Sequence, residues 1–211
     1  MKPYYEQGGI VIYHADCRDV LPTLELGSVD LVLTDPPYGM KWDGRVTGGP
    51  NGQGNKGPTR HYGVTIMGDD RPFDPAPWLL FPKVILWGFH HFSSRLPEGS
   101  LLVWLKRYDT GFGSYLSDAD VAWMKGGCGV YCKRDTSLQG ESRVHPTQKP
   151  LGIIKWCIEI VGGDGLILDP FMGSGTTLRA AKDLGRRAIG IELNEEYAEI
   201  AARRLAQEVL L

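Results

Sequence analysis

The sequence of Leu166–Thr177 is LILDPFMGSGTT, a pattern that is typical of an α/β protein. Its apolar first residues predict a buried strand that ends at Asp169, and a helix is predicted to begin near Thr176. A glycine-rich turn joins the two. In α/β proteins, a turn between the carboxyl end of a strand and the N-terminus of a helix is where a nucleotide-like ligand binds.

The glycine spacing of this turn narrows the kind of ligand. After Gly173 and Gly175 the sequence continues Thr-Thr-Leu, so the third glycine of a dinucleotide-binding fingerprint is absent. No lysine follows Gly175, as a P-loop would require. The turn therefore favours a nucleoside without phosphates and disfavours a nicotinamide dehydrogenase.

The strand predicted after this helix carries an acid at its carboxyl end. It reads RAIGIE and ends at Glu192. An acidic side chain at that place accepts hydrogen bonds from both hydroxyls of a ribose that lies across the sheet. The two glycines alone are equally consistent with a tight structural turn, but Asp169, Phe171 and Glu192 together favour a ligand site.

The rest of the chain alternates predicted strands and helices, which indicates a doubly wound, mostly parallel α/β sheet. Continuous apolar runs predict strands at Gly9–Tyr13, Val29–Thr34, Val84–Trp87, Leu101–Lys106, Leu166–Leu168 and Ala188–Ile191. Helices are predicted at Leu151–Val161, Thr176–Leu184 and Glu195–Glu208. The length of 211 residues fits one domain, 1–211.

Two segments do not fit the alternation. Residues 39–72 are crowded with glycine and proline, and we expect a long surface loop. Residues 109–144 hold two weak strand candidates, Asp120–Lys125 and Gly129–Lys133, in a glycine-rich setting. They are expected to form a small hairpin-like excursion.

Composition restricts the protein to an ordinary folded class, with 42% hydrophobic and 23% charged residues. No apolar run is long enough to cross a bilayer, and the N-terminus lacks a signal-peptide pattern. The four cysteines have no disulfide-framework spacing. Cys128 and Cys132 could form half of a metal site, but no second pair with ligand spacing follows, so we expect reduced thiols, a cytoplasmic protein and no metal. The net charge of −2 argues mildly against nucleic acid, but basic residues outnumber acidic ones in 39–72 and in 101–150.

The tetrapeptide Asp35-Pro36-Pro37-Tyr38 directly follows the strand Val29–Thr34. Two prolines force a rigid, extended exit from the sheet. That rigidity holds the Asp35 carboxylate and the Pro36 carbonyl as adjacent acceptors and presents the Tyr38 ring for stacking. Acceptors beside an aromatic face suit a flipped base with an exocyclic amino group. Seen alone, the same tetrapeptide is also consistent with a strand-ending turn.

With these motifs together, the chain resembles the beta-group amino DNA methyltransferases, in which the DPPY block precedes the cofactor glycine loop. The resemblance runs from about Val11 to Arg204. It is carried by DPPY, by HPTQKP at 145–150, by DPFMGSGTT at 169–177 and by GIEL at 190–193. The resemblance implies a Rossmann-like S-adenosylmethionine-dependent methyltransferase fold with a permuted motif order, forming a single catalytic domain.

The resemblance also implies roles for individual residues. The glycine loop would surround the methionine part of S-adenosylmethionine, Glu192 would bind the ribose, and the turn HADC would contact the cofactor adenine. The implied cofactor-binding residues are Asp16, Cys17, Asp35, His145, Thr147, Lys149, Asp169, Pro170, Phe171, Gly173, Ser174, Gly175, Thr176, Thr177, Glu192 and Leu193. The implied catalytic residues are Asp35, Pro36, Pro37 and Tyr38.

The implied substrate is double-stranded DNA, and Asp at the first position of the tetrapeptide favours adenine N6 over cytosine N4. Two different functions are also compatible with the motifs: methylation of a protein amide or a small molecule, and DNA binding by an inactive regulator with a retained cofactor fold. Residues 109–144 are a small candidate target-recognition insertion, so one subunit offers little surface and a homodimer is expected. The loop 39–72 is predicted to be a mobile lid that orders on DNA. His90 and His91 are given no role.

Overall fold

The computed structural model describes residues 1–41, 67–113, 117–138 and 148–207. Within these ranges the chain forms one eight-stranded sheet with helices on both faces. The strands are β1 (Tyr5–Gln7), β2 (Ile10–His14), β3 (Val29–Thr34), β4 (Lys83–Trp87), β5 (Gly99–Leu105), β6 (Ala119–Arg134), β7 (Leu166–Asp169) and β8 (Ala188–Glu192). The α-helices are α1 (Cys17–Val20), α2 (Leu151–Val161), α3 (Thr176–Asp183) and α4 (Glu195–Ala206).

The strand order is β1-β2-β8-β7-β3-β4-β6-β5. The strands β2, β8, β7, β3 and β4 run parallel to one another, whereas β1 is antiparallel to β2 and the first half of β6 is antiparallel to β4. This confirms the predicted doubly wound, mostly parallel sheet. The order also places β7, the strand before the glycine turn, beside β3, the strand before Asp35. The carboxyl ends of parallel neighbours lie at the same edge, so both motifs meet there.

The strand β6 differs from the predicted hairpin-like excursion, because both of its predicted parts belong to the main sheet. In β5, residues Leu101–Leu105 pair antiparallel with Ala119–Trp123. The same residues pair parallel with Val130–Arg134. The two halves of β6 therefore flank β5 on opposite sides. The chain turns between them at Gly126 and Gly127, whose φ angles are +82° and +67°. Ser100 of β5 holds this turn in place, because its hydroxyl donates to the Gly126 carbonyl at 3.0 Å.

The core has two layers, one on each face of the sheet, because neighbouring residues of a strand point to opposite faces. On β3, Leu31 and Leu33 pack with the layer under α2, α3 and α4, and Val32 packs with the opposite layer. That second layer is built from short irregular segments and is rich in aromatic side chains. It includes Phe73, Trp78, Phe81 and Phe92.

The predicted element bounds are close to the observed ones. The helix α2 and the strand β3 have the predicted bounds, and α3 ends one residue earlier than predicted. The short strand β1 was not predicted, because three residues carry too little pattern. No helix in the described part of the chain is long and apolar enough to cross a membrane.

Most of the predicted lid lies outside the described residues, which resume at Met67. The two described ends of that segment contact each other. The Asp69 carboxylate accepts hydrogen bonds from the backbone N–H of Gly39 at 2.6 Å and of Met40 at 3.1 Å. Residues 39–41 and 67–70 are therefore held together beside the end of the DPPY block.

Gly190 in the middle of β8 leaves room for the glycine turn and for α3. A Cβ atom there would lie 2.4 Å from the Met172 sulfur and 2.7 Å from the two terminal methyl groups of Leu178. We expect Gly190→Ala to lower the free energy of unfolding by about 1–3 kcal/mol, the usual cost of overpacking a core. Urea denaturation measures this change. Gly27→Ala is the control, because nothing lies within 4 Å of a Cβ there. Equal stability of both variants and the parent would contradict this account of Gly190.

Candidate active site

A cavity of about 840 Å³ opens at the edge of the sheet where β3, β7 and β8 end. The DPPY block, the glycine turn and the end of β8 line it, together with the start of α1, residues 67–74, Trp78 and Lys149. The motifs that are separated along the sequence therefore share one cavity. Its size suits a small organic ligand with room for a second group.

Asp169, at the end of β7, connects the two motif strands. Its side chain is buried, and its Oδ1 accepts hydrogen bonds from the Thr34 hydroxyl at 2.7 Å and the Phe171 N–H at 3.2 Å. Burial raises the pKa of Asp169 to about 6, and the hydrogen bonds from Thr177 and Thr34 oppose this rise. Asp169 thus fixes the start of the glycine turn against the residue that precedes Asp35.

The glycine turn is held closely against α4. Gly175 has a φ of +80°, and a Cβ there would lie 2.7 Å from the Ala201 Cβ. The Arg204 guanidinium of α4 donates to the backbone carbonyl of Ser174 at 2.6 Å and to the side-chain hydroxyl of Ser174 at 3.1 Å. The Ser174 side chain, predicted to face the cofactor, therefore has a partner within the protein. Gly175 supports the turn from behind and is absent from the cavity wall.

Glu192, at the end of β8, joins the strand to the glycine turn. One carboxylate oxygen accepts from the Gly173 N–H at 2.9 Å, and the other accepts from the Asn194 N–H at 2.8 Å. Burial raises the pKa of Glu192, and these backbone donors oppose the rise. A carboxylate offers about four lone-pair sites, so Glu192 keeps acceptor capacity for a ligand hydroxyl.

The turn HADC lies beside Glu192, because the Ala15 N–H donates to the Glu192 carbonyl at 3.0 Å. Asp16 caps α1 by accepting from the Arg18 N–H at 2.9 Å, and it also pairs with the Arg18 guanidinium. This pairing lowers the pKa of Asp16 to about 2. Burial raises the pKa of the Cys17 thiol to about 11, so it stays protonated.

Asp35 uses both carboxylate oxygens. The Tyr38 hydroxyl donates to Oδ1, and the Lys149 ammonium donates to Oδ2 at 2.5 Å. Burial and the charge of Asp35 raise the pKa of Tyr38, so the phenol stays a donor. Lys149 is itself almost fully buried and lies 5.5 Å from the centre of the Trp87 ring. The DPPY carboxylate is therefore an anchored acceptor.

The Tyr38 ring is positioned by residues that follow β4. Gly88 has a φ of +68°, and a Cβ there would lie 2.2 Å from two ring carbons of Tyr38. The exposed His91 ring stacks on Tyr38, with ring centres 4.5 Å apart and planes 19° apart. Partial desolvation by neighbouring atoms and the neighbouring His90 lower the pKa of His91, which favours the neutral ring. No role was predicted for His91, and no local sequence pattern indicates this contact.

Most of the residues proposed from the sequence line this one cavity. They are Asp16, Cys17, Asp35, Pro36, Pro37, Tyr38, Lys149, Asp169, Pro170, Phe171, Gly173, Ser174, Thr176, Thr177, Glu192 and Leu193. His145 and Thr147 lie outside the described residues. The wall also contains Asp69, Phe73, Trp78, Asn194 and Tyr197, which the sequence did not single out. Phe73 and Trp78 pack edge-on against Phe171, which forms an apolar wall.

The groups that line the cavity suit S-adenosylmethionine. A buried carboxylate matches a ribose diol, the apolar aromatic wall matches an adenine ring, and the glycine turn allows close approach of the methionine part. Among the described residues, no group of three His, Cys, Asp or Glu side chains is arranged to hold a metal.

Comparisons with known proteins agree on one family. A family model described as DNA methylase matches residues 104–203. The chain is 31% identical over 215 residues to the protein named "Putative methylase YubD" of Escherichia coli strain K12, covering 90% of this chain and 88% of that protein. It is 28% identical over 258 residues to the Type II methyltransferase M.ScaI of Streptomyces caespitosus, covering 98% and 84%.

Solved structures show the same fold. The M1.HpyAVI–SAM complex matches with a TM-score of 0.62 at 24% identity, covering 92% of this chain and 99% of that one. The cytosine-N4-specific PvuII DNA methyltransferase matches with a TM-score of 0.65 at 16% identity, covering 100% and 91%.

The protein is therefore an S-adenosylmethionine-dependent methyltransferase. The chain belongs to the beta group of amino DNA methyltransferases, the family of the N6-adenine and N4-cytosine DNA methylases.

Gly88 gives a test of the Tyr38 position. We expect Gly88→Ala to lower the rate of methyl transfer at least tenfold, because the new methyl group would occupy the space of the Tyr38 ring. Gly185→Ala is the matched control, since its φ is +66° but nothing lies within 4 Å of a Cβ there. The measurement is incorporation of tritiated methyl groups into unmethylated genomic DNA. Equal rates for the two variants would show that the Gly88 contact does not hold Tyr38 for the reaction.

Proposed function

We propose that this protein transfers a methyl group from S-adenosylmethionine to the exocyclic N6 of a flipped adenine in double-stranded DNA. The observation that carries the proposal is Asp35, an anchored carboxylate in the cavity shared by the DPPY block and the glycine turn. The cofactor supplies an electrophilic methyl group on a sulfonium when bound. The residues of the chain hold and orient the amine that receives it.

Asp35 and the Pro36 carbonyl are proposed to accept the two hydrogens of the amino group. With both hydrogens engaged, the nitrogen lone pair is directed away from the ring system and toward the methyl carbon. Transfer would form the N–C bond and break the S–C bond of the bound cofactor, and the Asp35 carboxylate would accept the proton that the methylated amine loses. Tyr38 is proposed to support the base by stacking, as flipped bases are held between aromatic and apolar side chains.

Glu192 is proposed to bind the ribose hydroxyls, and the turn at Asp16 and Cys17 to contact the cofactor adenine. The first part is supported by the position of Glu192 between the glycine turn and Asn194. The second part is supported by the hydrogen bond that places Ala15 against the end of β8. Gly173 and Thr176 line the same cavity and are proposed to surround the methionine part.

Adenine is proposed over cytosine because the tetrapeptide begins with Asp. The resemblance associates that residue with adenine N6, and its carboxylate accepts hydrogen bonds without donating any when ionised. The DNA adenine methyltransferase YhdJ of Escherichia coli K12 is 46% identical over 69 residues, which are 32% of this chain and 24% of that protein. Cytosine N4 is the second candidate, since the PvuII enzyme is cytosine-N4-specific and shares the fold.

Residues 109–144 remain the proposed target-recognition region, and the homodimer remains a prediction. The described basic residues near the cavity include Lys41 and Arg71, both exposed. Their position beside the end of the DPPY block supports contact with DNA phosphates near a flipped base.

The cofactor site is tested by Glu192→Ala. We expect the affinity for S-adenosylmethionine to fall at least tenfold, because two hydrogen bonds to a charged group contribute about 1.5–3 kcal/mol each. Isothermal titration calorimetry measures this affinity. Glu199→Ala is the control, since Glu199 pairs with Arg203 on the exposed side of α4. An unchanged affinity for Glu192→Ala would refute the placement of the ribose.

The substrate is tested by expressing the protein in a host that lacks DNA methylation and sequencing its genome by a single-molecule method. We expect N6-methyladenine at one short recognition sequence. Asp35→Ala should abolish the signal without weakening cofactor binding, and Asp164→Ala, at an exposed position outside the cavity wall, should leave it intact. N4-methylcytosine would refute the adenine proposal, and activity in Asp35→Ala above a few per cent would refute the role of Asp35.

A further inference from the structure

Lys149 lies between two carboxylates. Its ammonium group is 2.5 Å from Asp35 Oδ2 and 3.9 Å from Asp120 Oδ2. The Lys149 side chain is 9% exposed and that of Asp35 is 18% exposed. A cation buried to this degree is costly unless carboxylates compensate it, so the position of Lys149 depends on both acids.

Asp120 is the second carboxylate beside Lys149. It lies in the first half of β6, next to β4, and its Oδ1 accepts a hydrogen bond from Lys106 at 2.7 Å. Asp120 is therefore itself held by a second lysine. The charges alternate in sign from Lys106 through Asp120 and Lys149 to Asp35, and each neighbouring pair is favourable.

Tyr38 and Lys149 restrict the rotation of the Asp35 carboxylate. A carboxylate without anchors rotates about its Cβ–Cγ bond and exchanges its two oxygens. Here Tyr38 contacts one oxygen and Lys149 contacts the other, so the two oxygens are distinguished. An ionised carboxylate offers about four lone-pair sites, so two such contacts leave acceptor capacity for an amino hydrogen. Tyr38 and Lys149 therefore orient the Asp35 carboxylate and leave it able to accept a further hydrogen bond.

We propose that Lys149 and Asp120 are positioning residues for methyl transfer, with Lys149 orienting Asp35 and Asp120 holding Lys149 in place. This inference rests on the proposed role of Asp35 as the acceptor of an amino hydrogen. It gives Asp120, in the segment considered for target recognition, a role at the reaction centre. It also gives Lys149 a role that differs from the cofactor contact implied by the family resemblance.

The two roles of Lys149 predict opposite measurements. A residue that orients Asp35 affects the rate of transfer at saturating cofactor and leaves cofactor affinity unchanged. A residue that binds the methionine part lowers cofactor affinity, and saturating cofactor restores the rate. The experiment therefore measures the single-turnover rate with tritiated S-adenosylmethionine on unmethylated genomic DNA, and separately the cofactor affinity by calorimetry.

Four variants are compared. Lys149→Met removes the charge and keeps the length, Lys149→Arg keeps the charge, and Asp120→Asn removes the carboxylate charge with little change in shape. Lys155→Met is the control, because Lys155 forms a half-buried ion pair with Asp183 at 2.7 Å, away from the cavity. Circular dichroism and thermal denaturation identify any variant that fails to fold, and Asp120→Asn still tests the arrangement if Lys149→Met does so.

We expect Lys149→Met to lower the saturated rate at least fiftyfold and Asp120→Asn to lower it at least fivefold. Cofactor affinity should stay within threefold of the parent, Lys149→Arg should recover at least a tenth of the parent rate, and Lys155→Met should match the parent. Saturated rates within threefold of the parent for Lys149→Met and Asp120→Asn would overturn the inference. A loss of cofactor affinity that accounts for the loss of rate would also overturn it.

A failure of this inference can be distinguished from a failure of the proposed function. Digestion of the product DNA to nucleosides identifies the methylated base, and a cytosine product would refute the adenine proposal while leaving the comparison of rates valid. Asp35→Ala is measured beside the four variants. If it retains the parent rate, the proposed acceptor role fails on its own evidence, independently of the Lys149 and Asp120 variants.

Discussion

The hydrogen bond from Thr34 to Asp169 joins two parts of the chain that are 135 positions apart, and the active site depends on it. Thr34 ends β3, so the next residue is Asp35, and Asp169 ends β7, so the next residues form the glycine turn. Adjacent strands of a sheet lie about 4.8 Å apart. The bond therefore holds the carboxylate that is proposed to act on the base beside the loop that is proposed to receive the methyl donor.

Three carboxylates lie at this edge of the sheet, and the charge of each is stabilised by a different kind of partner. Asp169 accepts from hydroxyl and backbone donors, Glu192 accepts from two backbone N–H groups, and Asp35 pairs with a buried cation. Neutral donors suffice where a carboxylate shapes a turn. A full cation holds the carboxylate that is proposed to contact the reacting amine. The differences follow from position, since of these three only Asp35 lies next to a lysine that is itself held by a second acid.

The sequence predicted the parts of the site that lie within single motifs. The end of β7, the turn after it and Glu192 each follow from a short local pattern, and so does the rigid exit at DPPY. The pairing of Lys149 with Asp35 was not predictable, because the residues are 114 positions apart and no local pattern records their contact. The return of β6 along the far side of β5 was missed because Gly126 and Gly127 resemble an ordinary hairpin turn. The stacking of His91 on Tyr38 depends on the neighbouring strand and has no pattern of its own.

The strand order has a consequence for synthesis on the ribosome. The central strands β7 and β8 come near the end of the described chain, and they separate β2 from β3, which come near its start. Until Glu192 has left the exit tunnel, β2 and β3 have no central partner, and each exposes backbone groups that bind other strands. A nascent chain therefore holds Asp35 without a completed cavity. Methylation activity begins only when synthesis has passed both motifs, so a truncated product that lacks β8 is expected to be a substrate for chaperones and proteases instead of an enzyme.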